Sequence, residues 1–129
     1  MKIRFILAIL IIYLFASCEK QASHIYKITN TSSGTLKVVF KPTAGNLSAQ
    51  TIIIPPNEIT DLYIDKLGVS RVSKYKQTSE YLTSFSSIDV FKNDTIKAKT
   101  IFLKTSFWTY KEVNRHTANY LVDIGDNDF

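Results

Sequence analysis

Thr35-Leu36-Lys37-Val38-Val39-Phe40-Lys41 sets apolar Leu36, Val38 and Phe40 in alternation with Thr35, Lys37 and Lys41. A period of two puts successive side chains on opposite faces of an extended chain, so this stretch reads as a strand with one buried face. The same reading extends outward in both directions. Ile25-Tyr26-Lys27-Ile28 lies upstream, across the polar cluster Asn30-Thr31-Ser32-Ser33-Gly34. Downstream, a turn from Pro42 to Asn46 leads to Thr51-Ile52-Ile53-Ile54, which Pro55-Pro56-Asn57 closes. Leu62 and Ile64 alternate with Asp61, Tyr63 and Asp65 before Gly68. Ile88 and Val90 mark a further strand, and Lys92-Asn93-Asp94 turns the chain into Ile96 and Ala98. Ile101 to Tyr110 reads as one long strand or two short ones, and Tyr120, Val122 and Ile124 make the last. All four glycines fall in these turns, and no window carries a helical stripe. Only residues 69–84 fit neither period; they suit a loop or an edge strand. Seven to nine short strands in one chain predict an all-β fold, an immunoglobulin-like β-sandwich over residues 24–129, without the disulfide and buried-tryptophan signature of antibody domains.

The first eighteen residues follow a different logic. Met1 to Arg4 carry two positive charges, Phe5 to Phe15 are an unbroken apolar run, and Ala16-Ser17-Cys18 ends it with the single cysteine of the chain. A charged start, a short apolar stretch and small residues make an export signal. Twelve apolar residues, 5–16, fall short of the roughly 20 that a spanning helix needs. The arrangement resembles a bacterial lipoprotein signal. That resemblance implies removal of residues 1–17, lipidation of Cys18 and membrane attachment through the lipid. Residues 18–23 would then be the lipidated cysteine and a short tether. Glu19 to Ser23 span at most about 18 Å when extended, which keeps the domain close to the membrane.

Loss of residues 1–17 leaves 112, enough for one core, and lowers the formal charge from +5 to +3. No second cysteine exists to form a disulfide, and a charge of +3 gives no reason to expect a nucleic-acid partner. Lys66, Arg71, Lys74 and Lys76 cluster loosely. They suit anionic lipid head groups, although a solvated loop explains them more simply.

Catalysis finds little support. His24 and His116 are far apart and lack metal-ligand spacing, and no nucleophile elbow or phosphate-binding glycine loop occurs. His116 reads as a solvated turn residue. Asp61 and Asp65 read as the polar face of one strand. Asp123, Asp126 and Asp128 lack the order of a calcium loop and read as a solvated acidic terminus. The chain is expected to be no enzyme and to use no cofactor and no metal.

The candidate binding residues are aromatic. On an unbroken strand, Ile101, Leu103, Thr105 and Phe107 would face the core, and Trp108 and Tyr110 would stand outward about 7 Å apart, with Lys104 on the same face. A bulge near Thr105 would instead turn both aromatics inward. An exposed pair suits a sugar ring or a protein partner. The lysine-, isoleucine- and tyrosine-rich composition, taken with the signal, is similar to small envelope lipoproteins of Bacteroidetes. In that group Asp, then Ser or Thr, then an apolar residue can be an O-glycosylation site, and Asp94-Thr95-Ile96 matches at Thr95. The expected protein is therefore a non-enzymatic, lipid-anchored interaction module of the bacterial envelope, at the outer membrane ahead of the inner. Its expected partner is an envelope protein. A glycan-binding module on Trp108 and Tyr110, with Lys104 beside them, is the alternative, and a small inhibitor or immunity-type lipoprotein is a third.

Overall fold

The computed structural model describes residues 20–129; the signal segment 1–17 and Cys18 lie outside the described residues. Eight strands follow in order: β1 (Ser23–Asn30), β2 (Leu36–Pro42), β3 (Gln50–Ile54), β4 (Ile59–Lys66), β5 (Phe85–Lys92), β6 (Ile96–Lys97), β7 (Thr109–Asn114) and β8 (Thr117–Ile124). They form two four-stranded sheets, β4-β1-β8-β7 and β3-β2-β5-β6, packed as the expected all-β sandwich. β1 is antiparallel to β4 but parallel to β8, so the first and last strands lie side by side. Among the described residues no helix is long and apolar enough to cross a membrane.

The alternation seen in the sequence is the alternation of burial. Leu36, Val38 and Phe40 of β2 face inward, as do Ile88 and Val90 of β5 and Tyr120, Val122 and Ile124 of β8. Tyr26 and Ile28 meet them from β1, with Ile54 and Leu62 at the edge strands. Each large aliphatic or aromatic side chain taken fully out of water contributes about 1.5–3 kcal/mol, so this one layer supplies the main driving force for the fold. The rings interlock. Tyr26 stacks on Tyr120 at 5.0 Å and meets Phe85 and Trp108 edge-on at 4.8 and 5.7 Å.

One irregularity changes which side chains are available outside. The pairing of β1 with β4 slips between Tyr26 and Lys27, which oppose Tyr63 and Asp61, leaving Leu62 as the extra residue of a bulge. Leu62 is 5% exposed, whereas Ile64 is 51% exposed. The expected alternation of Leu62 with Ile64 on one face therefore fails. So does the reading of Asp61 and Asp65 as one polar face. Asp61 is exposed and pairs with Lys27, while Asp65 accepts a hydrogen bond from the buried Ser84 at 2.6 Å.

The two ends of the sandwich are built differently. At the far end, where β1 finishes, the side chain of buried Asn30 is fully engaged. Its amide donates to the Gly34 and Ile54 carbonyls, and its oxygen accepts from the Ser32 backbone and hydroxyl. The C-terminal acids are engaged here too. Asp126 accepts from the Ser33 N–H and hydroxyl and from Lys92, and Asp128 accepts from the Gly125 N–H and the Thr100 hydroxyl. The Ser33 N–H, followed by Lys92, holds the Asp126 carboxyl below the usual carboxylate range. The acidic terminus is thus a fastening rather than a solvated tail. Among the described residues, no group of His, Cys, Asp and Glu is placed to hold a metal.

Candidate functional site

The stretch 101–110 carries the candidate aromatics, and it does not run as a strand. Lys104 makes an isolated bridge to Tyr81, and a turn of 3-10 helix over Thr105–Phe107 breaks the extended chain before β7. A turn at Phe102 and Leu103 and these three tightly wound residues replace the alternation of an extended strand. Trp108 is 6% exposed and donates its indole N–H to the Phe102 carbonyl at 2.7 Å, and Phe102 is buried beside it. Phe107 and Ile101, expected in the core, stand outside at 45% and 55% exposure. Tyr110 is half-buried. It packs edge-on to Tyr120 and donates its hydroxyl to Glu112. Burial, followed by the Glu112 contact, pushes the Tyr110 hydroxyl up to about 12. The expected Trp108–Tyr110 platform is therefore corrected: the buried side of this stretch is the one that carries Phe102 and Trp108, with Tyr110 half-buried, and the exposed side carries Ile101 and Phe107. Lys104 is half-buried and lies 3.8 Å from the Glu80 carboxylate.

What stands outside instead is the open face of the β4-β1-β8-β7 sheet. The register aligns Ile25 with Ile64, Lys27 with Asp61 and Leu121, and Thr29 with Ile59 and Asp123. These are the outward positions, since their neighbours Tyr26, Ile28, Tyr120, Val122 and Ile124 are buried. The face thus carries Ile25, Ile59, Ile64 and Leu121, with Phe107 at its margin. Thr29, Ile59, Phe107, Thr109, Leu121 and Asp123 line a hollow of about 560 Å³ across it. The bulge at Leu62 and the 3-10 turn at Thr105 create this surface together. The first turns Ile64 outward, and the second does the same for Phe107. Lys27–Asp61 is the ion pair in the middle of the face.

The outer face of the other sheet is occupied by its own pairs. Lys97 contacts Asp89 at 2.7 Å, and Lys37 and Lys97 lie 5.8 and 5.9 Å from the centre of the Phe91 ring. Charged stems cover the aromatic there. The two-residue β6 and its turn close that sheet. Asn93 and Asp94 adopt positive φ, which turns the chain sharply and leaves Thr95 exposed at the tip.

Residues 67–84 have the structure that the sequence did not reveal. They pass over the inner face of the β4-β1-β8-β7 sheet at the end where β1 begins. Val72 fills a small apolar cluster with Ala22 and Ala118. The Gln77 N–H donates to the Tyr120 hydroxyl at 2.6 Å, and the Gln77 side-chain oxygen accepts from the Thr83 N–H and hydroxyl. The Tyr26 hydroxyl, Ser84 and Asp65 form a chain of hydrogen bonds at 2.8 and 2.6 Å. Since Asp65 accepts the Ser84 proton, Tyr26 donates to Ser84. Burial raises the Tyr26 and Tyr120 hydroxyls above the usual tyrosine value. Under the same cover, His24 is fully buried edge-on to Tyr120 and Tyr110, at 5.1 and 6.1 Å. Neither of its ring nitrogens has a hydrogen-bond partner among the described residues. Burial lowers its affinity for a proton, and Asp65 opposes this more weakly. His116 is not a free turn residue, because its Nδ1 lies 2.7 Å from the Ser70 carbonyl. This ties the β7–β8 turn to the same loop.

No protein-family model, curated protein or solved structure matches this chain. No residue role can be carried over from a relative, and the functional reading rests on the geometry above.

Proposed function

We propose that this chain is a lipid-anchored protein of the bacterial envelope, at the outer membrane, whose sandwich holds a partner protein through the open face of the β4-β1-β8-β7 sheet. The observation that carries this reading is the apolar set Ile59, Leu121 and Phe107 around one hollow, with Ile25 and Ile64 farther along the same face, where a merely solvated sheet carries polar side chains. Exposed apolar surface of this kind, rimmed by polar groups, marks protein contacts. The chemistry suits a partner that presents aliphatic or aromatic side chains to the hollow and a basic group to Asp123. Attachment follows from the lipoprotein-like segment that ends at Cys18, and Thr95 is proposed as an O-glycosylation site at an exposed tip. The glycan-binding alternative loses its support with the burial of Trp108, and no other observation favours it.

Quantitative co-purification from solubilised native envelope tests the reading, comparing wild type with an Ile59→Ser, Phe107→Ser double variant. Ile59 is mostly in water and Phe107 about half so, and the substitutions should cost only modest stability, within about 1 kcal/mol each. A protein enriched by wild type and depleted at least about tenfold in the variant, a loss of about 1.4 kcal/mol in binding, is the expected result. Equal recovery of the same proteins by both would overturn the assignment of this face.

A further inference from the structure

We infer that the end of the sandwich from which the N-terminal segment departs is a docking surface for the anionic face of a lipid bilayer, so that the domain stands end-on to the membrane. This rests on the anchored reading above and adds the orientation and the lipid charge that the domain selects. Folding gathers six cations at this end. Lys66 closes β4 opposite Ser23, Arg71, Lys74 and Lys76 lie on the covering loop, Arg115 lies in the β7–β8 turn, and Lys20 precedes the first strand. Backbone hydrogen bonds hold these segments together. The Val72 N–H donates to the Arg115 carbonyl, the Ala22 N–H to Val69 and the Leu67 N–H to Ala22. All six side chains are exposed, and among the described residues none of them is in an ion pair. Five of the other eight described cations are paired with carboxylates.

Such a distribution needs a reason. Unpaired like charges within one Debye length, about 8 Å, repel one another, so crowding them at one end works against the fold unless counter-charge is supplied. The carboxylates in the same segments, Asp65 on β4 and Glu112 on β7, make no ion pair with any of the six and are too few to balance them. Two further observations identify the occupant. The chain that leads back to Cys18 and the apolar run 5–16 departs from this end, and Ala22 is already buried, so three residues, Glu19 to Gln21, separate Cys18 from the folded domain. The anchor therefore holds this end at head-group level and not the other. Tyr75, exposed between Lys74 and Lys76, is the type of side chain that sits at a membrane interface, with an apolar ring and a polar tip. The far end, with its paired acids, lies about 25 Å away along the eight residues of β1, well beyond the reach of the surface potential.

The test uses the full chain isolated from bacterial membranes and reconstituted in two kinds of vesicle, phosphatidylcholine alone or doped with phosphatidylglycerol. Single reporter thiols, Ser73→Cys at the basic end and Asn127→Cys at the far end, carry a fluorophore that is quenched by a head-group-attached quencher. Wild-type charges are compared with a Lys66→Gln, Arg71→Gln, Lys74→Gln, Lys76→Gln variant. The expected result is quenching at 73 at least about fivefold stronger than at 127 on anionic vesicles, falling in the variant and in high salt to the level seen on phosphatidylcholine alone. Equal quenching at the two positions, or quenching at 73 that is the same on both kinds of vesicle or unchanged by neutralisation, would overturn the docking surface. Flotation with plain phosphatidylcholine reports the anchor separately. If the chain floats with anionic vesicles alone and the variant with neither, the anchor reading fails and the basic surface stands. If wild type floats with neither, both fail.

Discussion

The two ends of this sandwich solve the same problem in opposite ways. At the far end, Asn30, Ser32, Asp126 and Asp128 each use their polar atoms on one another or on backbone groups, and Lys92 closes the arrangement. At the tether end, among the described residues, six cations have no carboxylate partner, a buried histidine keeps both ring nitrogens without partners, and a loop with little regular structure covers the gap. Paired groups gain from each other and need nothing outside the chain, whereas unpaired ones carry a cost that only an external partner or a functional constraint accounts for. The far end therefore holds the fold together, and the tether end is the one shaped by its surroundings. If so, substitutions at the far end should reduce stability strongly, and the right substitution at the tether end should raise it.

The largest effect is expected at Asn30. Replacing it with Ala removes four hydrogen bonds and leaves the buried Ser32 N–H without an acceptor. A buried group stripped of its partner costs about 1–3 kcal/mol, and several are affected here. A loss of about 3 kcal/mol, seen as a fall in Tm of roughly 10 °C, is the expected outcome of thermal or urea unfolding. A loss under about 1 kcal/mol would remove the distinction between the ends.

Gly34 sharpens the same point on a smaller scale. A Cβ there would lie 2.6 Å from the Asn93 side-chain oxygen and 2.8 Å from Lys92 Cγ, because the β1–β2 and β5–β6 turns press together at this end. That oxygen also accepts the Thr35 N–H. Gly34→Ala must push Asn93 aside and break that bond, for a loss of about 1.5 kcal/mol, whereas Gly68→Asn, at a positive φ on the tether side with open space around it, should be close to neutral. Urea midpoints for the two variants give the comparison directly.

These contrasts also mark where the sequence was legible. Strands whose alternation is unbroken, such as Leu36 to Phe40 and Tyr120 to Ile124, show their buried side directly, because a period of two has one physical meaning. The local pattern fails wherever the chain adds or winds up a residue. The bulge at Leu62 inverts the rest of β4, the turns over residues 102–107 remove the alternation altogether, and both irregularities depend on contacts with distant segments. Residues 69–84 were illegible for a related reason. Their order comes from long-range backbone contacts to Arg115, Ala22 and Tyr120, which have no local periodicity. Ile64 and Phe107, the face now assigned to a partner, lie just past those two irregularities.

His24 gives the smallest and most discriminating prediction. Neutral imidazole always carries one N–H donor, and here it is buried without an acceptor among the described residues. Leu is close to histidine in size and has no polar atom, so His24→Leu should stabilise the protein by about 1 kcal/mol at neutral pH. The gain should grow on acidification. Burial holds the folded-state proton affinity of His24 below its ordinary value of 6.5, so below that pH the unfolded chain takes up a proton that the folded chain refuses. Wild-type stability from this group is thus fully present above pH 6.5 and falls as the pH drops toward the folded value, by at most about 1.4 kcal/mol per pH unit. Unfolding curves of both proteins at pH 7.5 and near pH 5 isolate the effect, since every other titrating group is common to the pair. A difference that widens in acid confirms a histidine held neutral against its own preference. A difference that is constant with pH, or a destabilised Leu variant, would mean that His24 is satisfied in the fold. The tether end would then be as self-sufficient as the far one.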